Sequence, residues 1–125
     1  MTINKLSSLA VIIVSAIITL GCAAPKMYYW EDYSKSLYNY KKTPSDETMA
    51  RHKQGLLKII EVSQQNNMRV PPGVCCEYAY ILMKDGKNEE ALKYLIMEEQ
   101  SYPESAPFIK LLKNKIEVKK DGKTS

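Results

Sequence analysis

The stretch CCEYAYILMKDGKNEEALKYLIMEEQSYP, Cys75–Pro103, decides the fold. Its apolar residues recur at helical rather than alternating spacing, first from about Val74 to Lys84 and again from Asn88. Asp85-Gly86 separates the two runs, and glycine readily takes the left-handed conformation that ends a helix. Asn88 is expected to cap the second run, with Ala91, Leu92, Leu95 and Ile96 facing inward and a Glu89–Lys93 pair facing solvent. Pro103 breaks the chain. The small residues Ala79 and Ala91 let two antiparallel helices approach closely, so the segment reads as a helical hairpin.

Working outward, the same spacing continues on both sides. Trp30, Tyr33, Leu37 and Tyr40 fall three and four apart, on one face of a first helix. Thr43-Pro44-Ser45-Asp46 reads as an N-cap, a first-turn proline and an early acid, opening a second helix with the stripe Met49, His52, Leu56, Ile59 and Ile60. Asn66-Asn67 ends it, and Pro71-Pro72-Gly73 is a stiff connector into the hairpin. After Pro103, Ser105 and Pro107 start a last helix with Phe108, Leu111, Leu112 and Ile116 inward, before a solvated Lys-rich tail from Lys119. No strand-like alternation competes. The fold class is all-α, a short stack of about five helices.

The N-terminus carries a different signal. Lys5 is followed by the apolar run Leu9–Leu20, interrupted by Ser15 and Thr19, and then by Gly21-Cys22. A positive start, an apolar segment and a small residue at the cleavage site make a signal peptide, and the run is shorter than the roughly 20 apolar residues that span a bilayer. The ending resembles the bacterial lipobox, which implies that Cys22 becomes the mature N-terminus and carries a thioether-linked diacylglycerol and an amide-linked acyl chain. Several long chains, each methylene contributing about 0.8 kcal/mol, anchor a protein effectively permanently. Ala23 rather than Asp follows the cysteine, which favours the periplasmic face of the outer membrane.

The chemistry-bearing residues are few. Removing residues 1–21 leaves 104, enough for one domain with a modest core and no disulfide staples. The full chain has 18 basic against 14 acidic residues, interspersed and too weakly biased to indicate nucleic acid. Cys75 and Cys76 are adjacent, a poor arrangement for a disulfide with each other, and read as small apolar residues of the hairpin. His52 is the single histidine and falls on an apolar stripe, so it reads as a core residue; any Ser-His-acid set or histidine metal site would depend on this one ring. Glu98 and Glu99 are neighbours whose carboxylates diverge, and read as a solvated face. Gly86 stands alone, without a phosphate-cradling loop. No cofactor, metal or catalytic set is expected. Tyr28, Tyr29 and Tyr38 are left over from the aromatic stripe and, with Trp30, are the candidate partner-binding residues, because tyrosine and tryptophan suit a protein or membrane interface.

Two resemblances add to this. Cys75–Pro103 is similar to a tetratricopeptide repeat, with Ala79 at the small position, Gly86 at the turn, Ala91 at the close helix contact, Leu95 at the large apolar position and Pro103 at the end. Glu98 stands where that repeat has an inner alanine, and Leu82 where it has an aromatic. Trp30–Tyr40 fits the first helix of a more degenerate repeat with Ser34 at its small position, which implies two repeats and a capping helix. Tyr28-Tyr29-Trp30, Leu37-Tyr38-Asn39-Tyr40, Val70-Pro71-Pro72-Gly73, Gly86–Leu92 and Tyr102–Ser105 together resemble a domain-of-unknown-function family of small Gram-negative lipoproteins. That resemblance implies an envelope location, often beside relatives of the curli-secretion channel lipoprotein.

The expected organisation is therefore a signal peptide at 1–21, a lipidated tether at 22–29, a tetratricopeptide-like domain at 30–118 and a basic tail at 119–125. The expected function is a non-enzymatic accessory that binds an envelope protein. The rival is a periplasmic module binding a peptide or small ligand.

Overall fold

In the computed structural model, residues 26–121 are described, with side chains through Val118. Among them five α-helices follow one another: α1 (Tyr33–Lys42), α2 (Asp46–Gln65), α3 (Val74–Lys84), α4 (Asn88–Ser101) and α5 (Ala106–Asp121), with a 3-10 turn at Pro103–Ser105. The described chain is all-α, as its periodicity requires. Cys22 and the signal segment lie outside the described residues.

Local chemistry fixes most boundaries. At the start of α2, Ser45 Oγ accepts from the Thr48 N–H at 3.2 Å while Thr48 Oγ1 accepts from the Ser45 N–H at 3.0 Å, a reciprocal capping box. Ser45, rather than Thr43, is thus the cap. Thr43 closes α1 instead, its N–H on the Asn39 carbonyl. Asn66-Asn67 does end α2: Asn67 sits at φ 52° and the Met68 N–H reaches back to the Ser63 carbonyl at 2.8 Å. Gly86 ends α3 in the same way, at φ 77°, with the Lys87 N–H on the Leu82 carbonyl at 2.9 Å. Lys87 occupies the cap position of α4, so Asn88 is its first residue and does not cap it.

The core forms where these helices stack. Leu56, Ile59 and Ile60 of α2, Val74, Ala79 and Leu82 of α3, Ala91 and Leu95 of α4, and Ile109, Leu112 and Ile116 of α5 are buried in one cluster. Full burial of each large aliphatic side chain contributes about 1.5–3 kcal/mol. The α3–α4 contact is the most extensive, and Tyr78 meets Tyr94 across it edge to face, with ring centroids 4.7 Å apart. Ala79, Ala91 and Leu95 lie inside and Gly86 at the turn, the register expected of the hairpin.

Four faces differ from the sequence reading. Ile96 is exposed, because the inner line of α4 runs Ala91, Leu95, Glu98, and a residue one step from Leu95 is turned about 100° away. Phe108 and Leu111 are likewise exposed, and α5 buries Ile109, Leu112 and Ile116 instead. Trp30 precedes α1 and is partly exposed; Trp30-Glu31-Asp32 forms a turn, with Glu31 at φ 41° and the Tyr33 N–H on the Trp30 carbonyl at 3.0 Å. Ser34 is exposed, and the small contact between α1 and α2 is made by Ser36, whose Oγ lies 3.6 Å from where a Cβ on Gly55 would stand.

At the C-terminal end, α5 runs past Lys119 to Asp121, since the chain from Phe108 to Asp121 contains no proline or glycine. On α4 the ion pair found is Lys87–Glu90 at 3.9 Å rather than Glu89–Lys93; both involve exposed side chains that contribute little.

The hairpin register is checked by Ala91→Leu, which overpacks the α3–α4 contact and is expected to cost about 1–3 kcal/mol in urea melts, whereas Lys93→Leu on the solvent side leaves the midpoint nearly unchanged. Equal midpoints would remove this register.

Candidate functional site

The four aromatic candidates separate in the structure. Tyr28 and Tyr29 are half-buried: Tyr29 packs against the core, and the Tyr28 hydroxyl lies 3.4 Å from that of Tyr102, a weak contact at that distance. Trp30 and Tyr38 keep exposed surfaces, with Trp30 between the rings of Tyr28 and Tyr33 and Lys42 Nζ 5.7 Å from the Tyr38 ring centroid. Tyr28 and Tyr29, the last residues of the segment expected as a tether (22–29), are thus laid onto the domain, and Trp30 and Tyr38 are the most exposed aromatic side chains there.

His52 is the centre of a polar tie. It is 1% exposed, with its Nδ1 2.9 Å from Ser36 Oγ and its Nε2 3.0 Å from Glu77 Oε1. The Tyr33 hydroxyl donates to Glu77 Oε2 at 2.8 Å, and the Tyr40 ring stacks on the imidazole at 6°. Both ring nitrogens have a polar partner: Nε2–H can donate to Glu77, and Nδ1 faces the Ser36 hydroxyl, whose single proton is shared with the Tyr33 carbonyl. Burial, the hydrogen bond to Glu77 and its charge together push the Tyr33 hydroxyl up to about 12. The order Ser36–His52–Glu77 resembles a nucleophile–base–acid relay, but the ring is sealed beneath Tyr33 and Tyr40, and the Ser36 hydroxyl is also within 3.0 Å of the Tyr33 carbonyl of its own helix. The geometry is that of a clamp joining α1, α2 and α3.

A second polar tie, at Glu98, borders an apolar groove. Glu98 is 3% exposed, not solvated as its sequence neighbourhood suggests. Its Oε1 accepts the Gly73 N–H at 2.7 Å, at the N-terminus of α3, where the backbone dipoles favour negative charge. Oε2 has no hydrogen-bond partner. Glu99, by contrast, reaches Lys113 on α5 at 2.6 Å. Glu98 lies in the wall of a cavity of about 680 Å³ between α3 and α5, bordered also by Gly73, Tyr80, Tyr102 and Phe108. This cavity shares Tyr80, Phe108, Leu112 and Lys115 with a neighbouring one of about 630 Å³ that extends to Leu111 and Val118. The two make a continuous groove. Tyr80, Phe108, Leu111 and Val118 are 45–70% exposed along it.

One signal for Glu98 was present in the sequence: with Ala91 and Leu95 it completes an i, i+4, i+7 line along the inner face of the helix. Nothing comparable announced Ser36. Among the described residues no group of His, Cys, Asp and Glu is arranged to hold a metal ion, and no helix is long and apolar enough to cross a membrane.

These features define a small stack of helical hairpins with an apolar groove along α3 and α5. Residues 27–112, more than half of the chain, match the family model described as Domain of unknown function (DUF4810), and the chain belongs to that family. Neither a curated protein nor a solved structure matches it.

The thiols supply a pH test. Burial, reinforced by the Glu98 charge, pushes Cys75 from 9.0 to about 12 and Cys76 to about 11. A thiol whose folded value is raised favours the folded state below its unfolded value, and that contribution is lost as pH climbs through the folded value. Stability is therefore expected to hold up to about pH 9 and to fall between about pH 9 and 12, and Cys75→Ala with Cys76→Ala to flatten that fall. Urea midpoints over this range, beside thiol labelling at pH 8, provide the check; rapid labelling of both cysteines in the folded protein would contradict the burial.

Proposed function

We propose that this chain is a non-enzymatic lipoprotein of the periplasmic face of the outer membrane, anchored through acylated Cys22, whose helical domain binds an envelope protein in the α3–α5 groove. The observation that carries this reading is the row Tyr80, Phe108, Leu111 and Val118, apolar side chains left exposed along two adjoining cavities. Contiguous exposed apolar surface marks interaction sites. The groove is open and runs across two adjoining cavities, which suits a segment of another protein.

The anchor strengthens the reading. Tyr28 is laid against Tyr102, a residue of the groove wall, and the six residues from Ala23 to Tyr28 extend at most roughly 20–22 Å. A domain acylated at Cys22 is thus held close to the bilayer, with its groove presented to proteins of the same membrane. The resemblance to lipoproteins found beside curli-secretion-channel relatives makes such a channel-type lipoprotein one partner to examine. Trp30 and Tyr38 add aromatic surface on the α1 side.

Two measurements test this. Cys22→Ala is expected to abolish incorporation of labelled acyl chains and lipoprotein-type cleavage; labelled acyl chain in that variant would refute the anchor. A photocrosslinker at Leu111, 60% exposed, is expected to capture one defined envelope protein in cells, with the yield lowered by Phe108→Ser, while a crosslinker at the solvent-facing Lys93 captures none. Equal capture from both positions would remove the groove as the docking surface.

A further inference from the structure

The exposed row of α5 is arranged to pair with itself. Glu104, Phe108, Leu111, Lys115 and Val118 follow one another at spacings of four, three, four and three, the alternation that lines residues up along a helix–helix seam. Ile109, Leu112 and Ile116 form a separate line, already buried against the preceding helices. Glu104 stands in the 3-10 turn that leads directly into α5, and both Glu104 and Lys115 border the same cavity as Phe108. Leu111, Lys115 and Val118 carry the row through the adjoining cavity. Of the other charged residues bordering the two cavities, Glu77 is bonded to His52 and Tyr33, Glu98 is buried, and Lys84 Nζ lies 4.9 Å from the Tyr80 ring centroid. Glu104 and Lys115 are exposed, and among the described residues neither belongs to an ion pair.

From Glu104 to Lys115 the row runs acid, apolar, apolar, base, and turning it end for end exchanges the two charges. We infer that the partner seated in the groove is a second copy of this chain, its α5 lying antiparallel to the first about a two-fold axis that passes between Phe108 and Leu111. Phe108 of each copy then meets Leu111 of the other, and the Glu104 carboxylate of each accepts from the Lys115 ammonium of the other. This rests on the groove being the docking surface, and the protein captured from Leu111 is then this chain itself. A closed two-fold interface needs a surface complementary to itself, which this row is only in the antiparallel sense. A parallel pair sets Glu104 beside Glu104 and Lys115 beside Lys115, and like charges across a seam are unfavourable. A slip of one heptad in the antiparallel pair sets the ammonium of Lys115 against the apolar Leu111, so the charges fix the register as well as the direction. Exposed ion pairs add little attraction; Phe108 and Leu111 supply the contact. Copies acylated at Cys22 share one bilayer, where a short seam is enough.

The test is a charge exchange in cells. Two copies of the full chain with different epitope tags are produced together, one carrying the photocrosslinker at Leu111, and the yield of the product that joins both tags is measured. Glu104→Lys in both copies, or Lys115→Glu in both, sets like charges against each other twice across the two-fold axis. Each is expected to lower the yield roughly threefold to thirtyfold, the range of two exposed ion pairs. The double variant Glu104→Lys with Lys115→Glu recreates both pairs in the opposite sense and is expected to return the yield to that of the unaltered chain. Lys93→Glu, the same change of charge at an exposed position on the other side of the hairpin, is expected to leave it unchanged. All these positions are exposed, so the melting midpoints stay together.

A Leu111 crosslinker that captures a different envelope protein and no second copy overturns the self-pairing and leaves the groove standing as a docking surface. A joined product whose yield neither single reversal lowers, or which the double reversal does not restore, overturns the antiparallel arrangement. Equal capture from Leu111 and Lys93 is what removes the groove reading itself.

Discussion

The hydrogen bond from the Gly73 N–H to the buried Glu98 carboxylate is the constraint on which the central hairpin and its groove depend. Gly73 sits at φ 86°, a conformation most residues adopt only with strain, and directly precedes the first turn of α3. The carboxylate is drawn there by an N–H and by the positive end of the α3 backbone dipoles, which together offset part of the cost of burying it. Because Glu98 is on α4, the bond sets where α3 begins relative to α4. The same connector is held by two further contacts from the end of α4: the Tyr102 hydroxyl donates to the Val70 carbonyl at 2.8 Å, and Arg69 donates to the Ser101 carbonyl at 2.6 Å. A stretch as stiff as Val70-Pro71-Pro72-Gly73 then has little freedom, and the groove inherits its rigid edge from it.

The His52 clamp supplies the complementary constraint. Helix α1 buries no residue completely, so its attachment depends on half-buried rings and on polar bonds more than on apolar area. Ser36 and Tyr33 reach His52 and Glu77 from α1, and those residues belong to α2 and α3. A buried hydrogen-bonded network specifies one arrangement more sharply than apolar packing does, because a shifted register leaves donors and acceptors unpaired. The close approach at Ser36 and Gly55 leaves room for that network.

Periodicity made the number and order of the helices legible, and small residues together with Gly86 made the α3–α4 register legible, because burial in this hairpin imposes a strict spacing. It failed where an element offers two apolar faces. On α5, Phe108, Leu111 and Val118 compete with Ile109, Leu112 and Ile116, and sequence spacing alone cannot say which face the neighbouring helices cover. Trp30 fits the spacing of α1 but precedes the helix, since a turn with a positive φ at Glu31 intervenes. The apolar reading of His52 was right about its burial and silent about its partners, which come from α1 and α3, 16 and 25 residues away in sequence. Glu98 departs from its expected solvation for a related reason: a charged residue beside another charged residue looks solvated unless its helical position is given more weight than its composition.

The surplus apolar face of α5 links fold to function. Ile109, Leu112 and Ile116 suffice to dock α5 on the preceding helices, so Phe108, Leu111 and Val118 contribute nothing comparable to the core, and their exposure favours association. A freely diffusing protein with such a row would tend to self-associate. In the lipid-anchored state proposed above, restricted orientation and the high effective concentration of a partner in the same bilayer would let a modest groove suffice for stable pairing. Within the proposed docking groove the apolar row provides the contact, whereas Glu98, already shut away from solvent, acts on the fold by holding the Gly73 N–H. In the proposed arrangement the row supplies the attachment, and Glu98 fixes the edge of the connector beside which that row is presented.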